Sequence, residues 1–268
     1  MSAHPVAAGA PARQAPFTNS PMVNLVYLAL ALYCIYALSQ MGVSWSRLAV
    51  GIDRGANFLA RMFPPDLGKF DILWEGIRES LQIALLATVC GVAISLPVGL
   101  LAAGNLMPNW CRIPARALIT LCRSMHPVLV AILFVKAVGF GPLAGILALV
   151  VSSIGFIGKL FAEATEEISL KQLEAVRATG ASFPNMLTFG VIPQVLPRFV
   201  GFATYQLDSN LRNSTMVGIV GAGGIGGALL SAFQRYDYGF VFTILATIVA
   251  IIVVCELVTN QVKKVFNV

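Results

Sequence analysis

Apolar and polar positions fall in long blocks, not at the period of a strand or of a surface helix. Nearly continuous apolar runs occupy 23–41, 80–103, 115–138, 142–161, 199–220 and 239–261. Each has the length of about 20 residues that a helix needs to cross a hydrocarbon core about 30 Å thick. The pattern predicts an all-α, polytopic integral membrane protein with about six transmembrane helices. The segment between the first two runs carries Arg47, Asp53, Arg54, Arg61, Asp66, Lys69 and Asp71 around Phe63-Pro64-Pro65-Asp66, and reads as an external loop with some amphipathic helix. Gly139-Phe140-Gly141-Pro142 reads as a tight turn between two runs. The largest polar island runs from Lys159 to Arg198, with four glutamates and four Lys/Arg.

Composition narrows the choice further. The 268 residues are 57% hydrophobic and 11% charged, against about 45–50% and about 25% in soluble domains. Too few charges are present to cover a water-soluble globule, which argues against a soluble enzyme, a disordered chain or a nucleic-acid binder. The net charge of +6 then belongs to loops. Arg13, Arg112, Arg116, Lys159, Lys171, Arg177, Arg198, Lys263 and Lys264 favour one face, so the positive-inside tendency puts both termini in the cytoplasm. The organisation expected is a disordered cytoplasmic tail (1–22), a first transmembrane helix with its external loop (23–74) and a transmembrane domain (75–268) with a cytoplasmic loop at about 164–198. Met1–Pro21 lacks the pattern of a cleaved signal peptide, and five scattered cysteines give neither a disulfide framework nor a C-x-x-C pair.

Within the polar island, Leu170 to Ala178 reads as an amphipathic helix with Leu173 and Val176 on its apolar side. Gly180 ends it in a left-handed cap, and a second short helix starts near Pro184, at a right angle to the first. Such a knob suits a partner's groove. The sequence Glu174-Ala175-Val176, three residues, Gly180, nine residues, Gly190-Val191-Ile192-Pro193 resembles the EAA loop of ABC-importer permeases. It departs from that pattern at Val176, Gly190 and Ile192. More broadly, Pro64-Pro65-Asp66, Thr179-Gly180-Ala181, Gly190 to Val195, Ser209-Asn210-Leu211-Arg212 and Gly226 resemble the phosphonate-importer permeases, within the methionine-importer-like fold, over roughly 62–262. The resemblance implies that Glu174, Ala175, Gly180 and Pro193 couple to an ATPase. It also implies a phosphorus oxyanion (phosphonate, phosphite or phosphate) as cargo. The expected partners are a second copy of the chain, two cytoplasmic ATP-binding subunits that use ATP and Mg, an external substrate-binding protein and membrane lipid, with no cofactor on this chain.

Gly221, Gly223 and Gly226 formally satisfy G-x-G-x-x-G, but no strand–helix unit surrounds them and no acidic residue follows about 20 positions on. Together with Gly224 they read instead as sites of close helix packing at an external gate. Polar groups inside membrane helices are costly and mark function. Arg123 and His126, on one face of the third helix, and Asp208 and Arg212, on one face of the fifth, fall roughly 12–21 Å along their helices by a rise of about 1.5 Å per residue. These four residues are the candidate substrate pathway, since guanidinium groups present planar donors to an oxyanion. No nucleophile–base pair, metal-ligand cluster or G-x-x-x-x-G-K-[ST] occurs, so the chain is expected not to be an enzyme. The rival readings are a permease for an amino acid or betaine, a self-contained secondary transporter and an intramembrane enzyme.

Overall fold

The computed structural model describes residues 21–42 and 44–265. The expected tail, residues 1–22, lies outside the described residues except for Pro21 and Met22, which open the first helix.

Two compact units divide the chain, the first ending at Leu59 and the second starting at Ala60. In the first, α1 (Pro21–Gln40) is apolar on every side and has no buried residue, the signature of a helix whose solvent is lipid. The amphipathic α2 (Trp45–Ala60) lines up Trp45, Leu48, Ile52 and Leu59 at helical spacing, with Arg47, Asp53, Arg54 and Asn57 elsewhere on its surface.

The second unit contains α3 (Phe70–Ala102), α4 (Asn109–Ser124), α5 (Pro127–Val138), α6 (Pro142–Glu166), α7 (Leu170–Ala178), α8 (Phe183–Met186), a π-turn (Leu187–Val191), α9 (Ile192–Ile219), α10 (Ile225–Gln234) and α11 (Tyr238–Val265). Among the described residues there is no strand. Helix α3 packs most extensively on α6. Small residues make this possible: a β-carbon at Gly99 would stand 3.0 Å from the carbonyl oxygen of Gly158. The core they share with α5 and α9 contains Ile83, Ala87, Ala131, Ala144, Ala148, Leu149 and Val217.

The apolar runs become helices with three corrections to the expected extents. Helix α3 starts ten residues before 80, because Asp71, Glu75, Arg78 and Glu79 occupy its first turns without breaking the helix. The expected single helix over 115–138 is two, α4 and α5, meeting at 94°. Pro127 favours this, since the α region is disfavoured for the residue before a proline, and both Met125 (ψ 131°) and His126 (ψ 138°) are extended. Pro97, Pro114 and Pro197 by contrast stand inside helices. Finally, the second knob helix is no separate arm: α8 is one turn that continues through the π-turn into α9, a helical run from Phe183 to Ile219.

Successive segments alternate in direction and give the second unit two ends. One, the knob end, gathers the C-termini of α3 and α6, α7, and the start of α9. The other gathers the starts of α3 and α6, the segment between α9 and α10, and the start of α11. At that second end Thr243 donates to the carbonyl of Asp66 (2.9 Å) and Lys69 pairs with both Asp66 and Asp237.

Candidate functional site

The knob is built on an apolar base. Leu173 of α7 is buried with Phe161, Ala164, Ile168, Met186, Val191 and Val195, so its underside is bedded between α6 and α9. Gln194 locks the seat: its amide donates to the Gly190 carbonyl at 2.6 Å, and its oxygen accepts the Ser169 N–H at 3.0 Å. Arg198 braces Glu167 at 2.6 Å. The outer surface stays open, with Glu174 and Ala175 exposed. Gly180 has φ +76°, a conformation that side chains resist, and the chain reverses there. Pro193 stands just past the π-turn, in the first turn of α9, and is exposed. Thus Glu174, Ala175 and Gly180 share one protrusion, and Pro193 lies at its root.

The four polar residues of the expected pathway are separated into two pairs. Arg123 sits in the last turn of α4, and His126 is the N-cap of α5, accepting the Val128 N–H at 3.4 Å. They therefore do not share a helix face; the break replaces that arrangement with two walls of one pocket of about 370 Å³, with Ser152 and Phe156 of α6 opposite. Arg123 also lines a second cleft, of about 230 Å³, with Arg116, Lys159, Glu163 and Glu166. On α9, Asp208 and Arg212 are paired at 2.9 Å one turn apart, Asp208 mostly buried and Arg212 exposed. The second carboxylate oxygen of Asp208 is buried without a hydrogen-bond partner among the described residues. Among the described residues no hydrogen bond or ion pair joins Arg123 or His126 to this pair, and none engages the Arg123 guanidinium.

At the other end, Gly221, Gly223 and Gly224 have φ of +90°, +82° and +79°, forming a loop wedged between α3 and the α5–α6 turn. Glu79 and Ser80 of α3 accept the N–H groups of Gly224 (2.8 Å) and Ile225 (2.9 Å), capping α10. A β-carbon at Gly226 would collide with the Thr215 carbonyl oxygen, so α10 folds directly against the end of α9. Nearby, the Gly68 N–H and Lys69 hold the Asp66 carboxyl below the usual carboxylate range, and Asp237 raises Lys69.

Residues 95–267 match the family described as the binding-protein-dependent transport system inner membrane component. This chain belongs to that family. It is accordingly an inner-membrane subunit with several spanning helices, working in a system that contains a binding protein. Among its relatives, the phosphite transport system permease protein PtxC of Stutzerimonas stutzeri is 36% identical over 218 residues, covering 81% of this chain and 79% of PtxC. The phosphate-import permease protein PhnE of Mycolicibacterium smegmatis is 36% identical over 236 residues, 86% of this chain but only 44% of PhnE. Among solved structures, the inward-facing MetNI methionine ABC transporter has a chain that superposes with a TM-score of 0.66 at 25% identity, covering 75% of this chain and 99% of that one.

Sequence reasoning missed one cluster of this inner membrane component. Asn210 donates to Thr88 (2.9 Å) and Ser153 (3.1 Å) and accepts from Gln206 (2.9 Å), while Gln206 also donates to Ser153 (2.9 Å). All four side chains are buried, and they tie α3, α6 and α9 together. The available signal was the i,i+4 pair Gln206/Asn210 inside an apolar run. It lies about 200° around α9 from the Asp208/Arg212 pair, at about 100° per residue.

Proposed function

We propose that this chain is the membrane-spanning subunit of an ATP-driven importer for a phosphorus oxyanion: a phosphonate, phosphite or phosphate. The observation that carries the reading is that PtxC and PhnE, each aligned over more than four fifths of this chain at 36% identity, are named for phosphite transport and phosphate import. The physical chemistry agrees with it. An unpaired charge at the bilayer centre costs at least about 2.5–3.5 kcal/mol, and a guanidinium such as that of Arg123, which has no partner among the described residues, lowers the barrier for an anion. Arg212 adds a second donor once an anion competes with Asp208, and His126 lines the same pocket as Arg123.

In this reading the knob seats an ATP-hydrolysing subunit. Glu174 and Ala175 meet it, Gly180 fixes the turn, and Pro193 roots the motion in α9. Two copies of this chain pair to enclose the path, each carrying one ATP-binding subunit, where ATP and Mg are consumed. This chain itself holds no cofactor and is not catalytic. The knob and both termini face the cytoplasm, the glycine loop of Gly221, Gly223, Gly224 and Gly226 gates the external side, and a substrate-binding protein delivers cargo there. Lipid surrounds the exposed apolar helices, and nucleic acid has no part. An amino-acid permease has the likeness to MetNI in its favour, a likeness of fold.

The test is uptake of labelled phosphite, methylphosphonate, phosphate and methionine by cells that express the chain with its cognate ATP-binding and substrate-binding proteins. Uptake of a phosphorus oxyanion, abolished when the ATP-binding subunit is inactivated, is the expected result. Uptake of methionine alone would overturn the cargo assignment. External labelling by an impermeant reagent of a cysteine placed at Lys171 in intact cells would overturn the orientation.

A further inference from the structure

The cleft between α4 and α6 has a composition unlike the rest of the bundle. Five of the nine residues lining its roughly 230 Å³ are charged: Arg116, Arg123, Lys159, Glu163 and Glu166. Two of the three cations are held in place. Arg116 is spent on structure, its Nε bonded to the Ala102 carbonyl at 3.0 Å and its guanidinium to Glu166, which also accepts the Gly104 N–H. Lys159 faces Glu163 at 3.3 Å, one turn along α6, with both side chains about half exposed. Arg123 has no hydrogen-bonding or ionic partner among the described residues. One positive charge is therefore in surplus, and it sits beside an ion pair that is cheap to open, since exposed i,i+4 pairs contribute only about 0.3–0.5 kcal/mol.

We propose that this cleft is a release site for a tetrahedral phosphorus oxyanion, bound by Arg123 and Lys159 and expelled by Glu163. The proposal rests on the oxyanion reading above and adds a site to it. The volume suits the ligand: at about 30 Å³ per water in the liquid, the cleft holds a five-atom oxyanion with a few waters, well below the roughly 300–1,000 Å³ of sites for drug-sized molecules. Arg123 offers a planar pair of donors to two oxygens. Lys159, a point charge on a flexible stem, swings from Glu163 to a third. Glu163 then competes for Lys159 and keeps the anion from being trapped. Position supports a release role, because α6 ends three residues beyond Glu163, at Glu166, and leads directly to α7 at Leu170. The cleft thus opens at the knob end, beside the element taken to dock the ATPase.

The test combines binding and uptake. The full-length chain in lipid nanodiscs is titrated with phosphite and with methylphosphonate in a chloride buffer, followed by 31P line broadening. Arg123→Gln and Lys159→Gln are each expected to weaken binding at least about tenfold, and Arg123→Lys to weaken it less than Arg123→Gln, since it keeps the charge and loses the planar pair of donors. Glu163→Gln is expected to tighten binding and to lower uptake at saturating substrate, whereas Lys136→Gln, on α5 away from the cleft, changes neither. Thermal unfolding within a few degrees of the parent shows that the variants are folded. Unchanged binding in the Arg123→Gln, Lys159→Gln double variant overturns the site, as does weaker binding in Glu163→Gln. Failure of the transport reading looks different: the parent chain binds oxyanion with the expected variant pattern, yet the complete system takes none up.

Discussion

Replacing Asn210 with Leu removes the centre of the buried polar cluster while nearly preserving volume, so no large cavity confuses the result. Three hydrogen bonds are lost, to Thr88, Ser153 and Gln206. Inside membranes, side-chain hydrogen bonds measured by double-mutant cycles average about 0.6 kcal/mol, with a maximum of about 1.7 kcal/mol. Three average bonds amount to about 2 kcal/mol. The loss is confined to these three bonds: Gln206 keeps Ser153, and the hydroxyls of Thr88 and Ser153 keep donating to the carbonyls of Ala84 and Leu149 at 2.7 Å. The expected loss is therefore about 2 kcal/mol. The assay is reversible unfolding of the purified chain in mixed micelles, titrated with denaturing detergent, for the parent, Asn210→Leu, Thr88→Val and the double variant. A coupling of about 0.5–1.7 kcal/mol between Asn210 and Thr88 is expected from their direct bond. A change below about 0.3 kcal/mol in Asn210→Leu, or additive single effects, would refute the claim that this cluster holds α3 and α9 together.

Three further outcomes follow from the geometry. Glu174→Lys and Gly180→Val are expected to abolish uptake while leaving the chain in the membrane at parental levels, because Leu173 and Gln194 still seat the knob; immunoblotting of membranes beside an uptake assay checks this. Arg212→Ala is expected to lower both uptake and thermal stability, since it leaves the mostly buried Asp208 unpaired, while Asp208→Ala combined with Arg212→Ala restores stability and not uptake. The cluster at the start of α11 sets a pH dependence. Asp66 is depressed, so its contribution is complete above its unfolded value of 3.8 and lost as pH falls through the lower folded value. Lys69 is raised, so its contribution is complete below 10.5 and lost as pH rises through the higher folded value. This cluster therefore leaves thermal stability level between about pH 5 and 9, and Asp237→Asn is expected to weaken the alkaline limit; melting curves across pH are the measurement.

The helices were legible wherever a long apolar run met no competing signal, as in 142–161 and 239–261. The knob helix was legible to the residue, because Leu173 and Val176 mark its inner face and Gly180 its end. The break at Ser124–Pro127 could not be told apart in the sequence from the X-Pro steps at Pro97, Pro114 and Pro197, which stay inside helices, so the apolar run around it read as one helix. The length of α3 was hidden by Glu75, Arg78 and Glu79, which look like loop and are helix surface. The buried cluster showed only its α9 half in the sequence, as the i,i+4 pair Gln206/Asn210. Thr88, Ser153 and Asn210 lie on three different helices, and only packing reveals that each supplies what the others lack. Of the expected pathway, Asp208 and Arg212 meet because i,i+4 spacing suffices, whereas Arg123 and His126 depended on a straight helix that does not exist.

The sharp corner between α4 and α5 carries a cost that constrains its surroundings. The last carbonyls of α4 have no intrahelical donor; one of them, that of Leu121, accepts the Ser124 hydroxyl at 2.8 Å. Hydrocarbon tolerates no such exposed backbone, since each unsatisfied group there costs several kcal/mol. The corner therefore has to look onto water or onto another polypeptide and never onto acyl chains. That fixes which side of the bundle is turned from the bilayer, independently of every charged side chain, and water or protein has to reach as far as Met125.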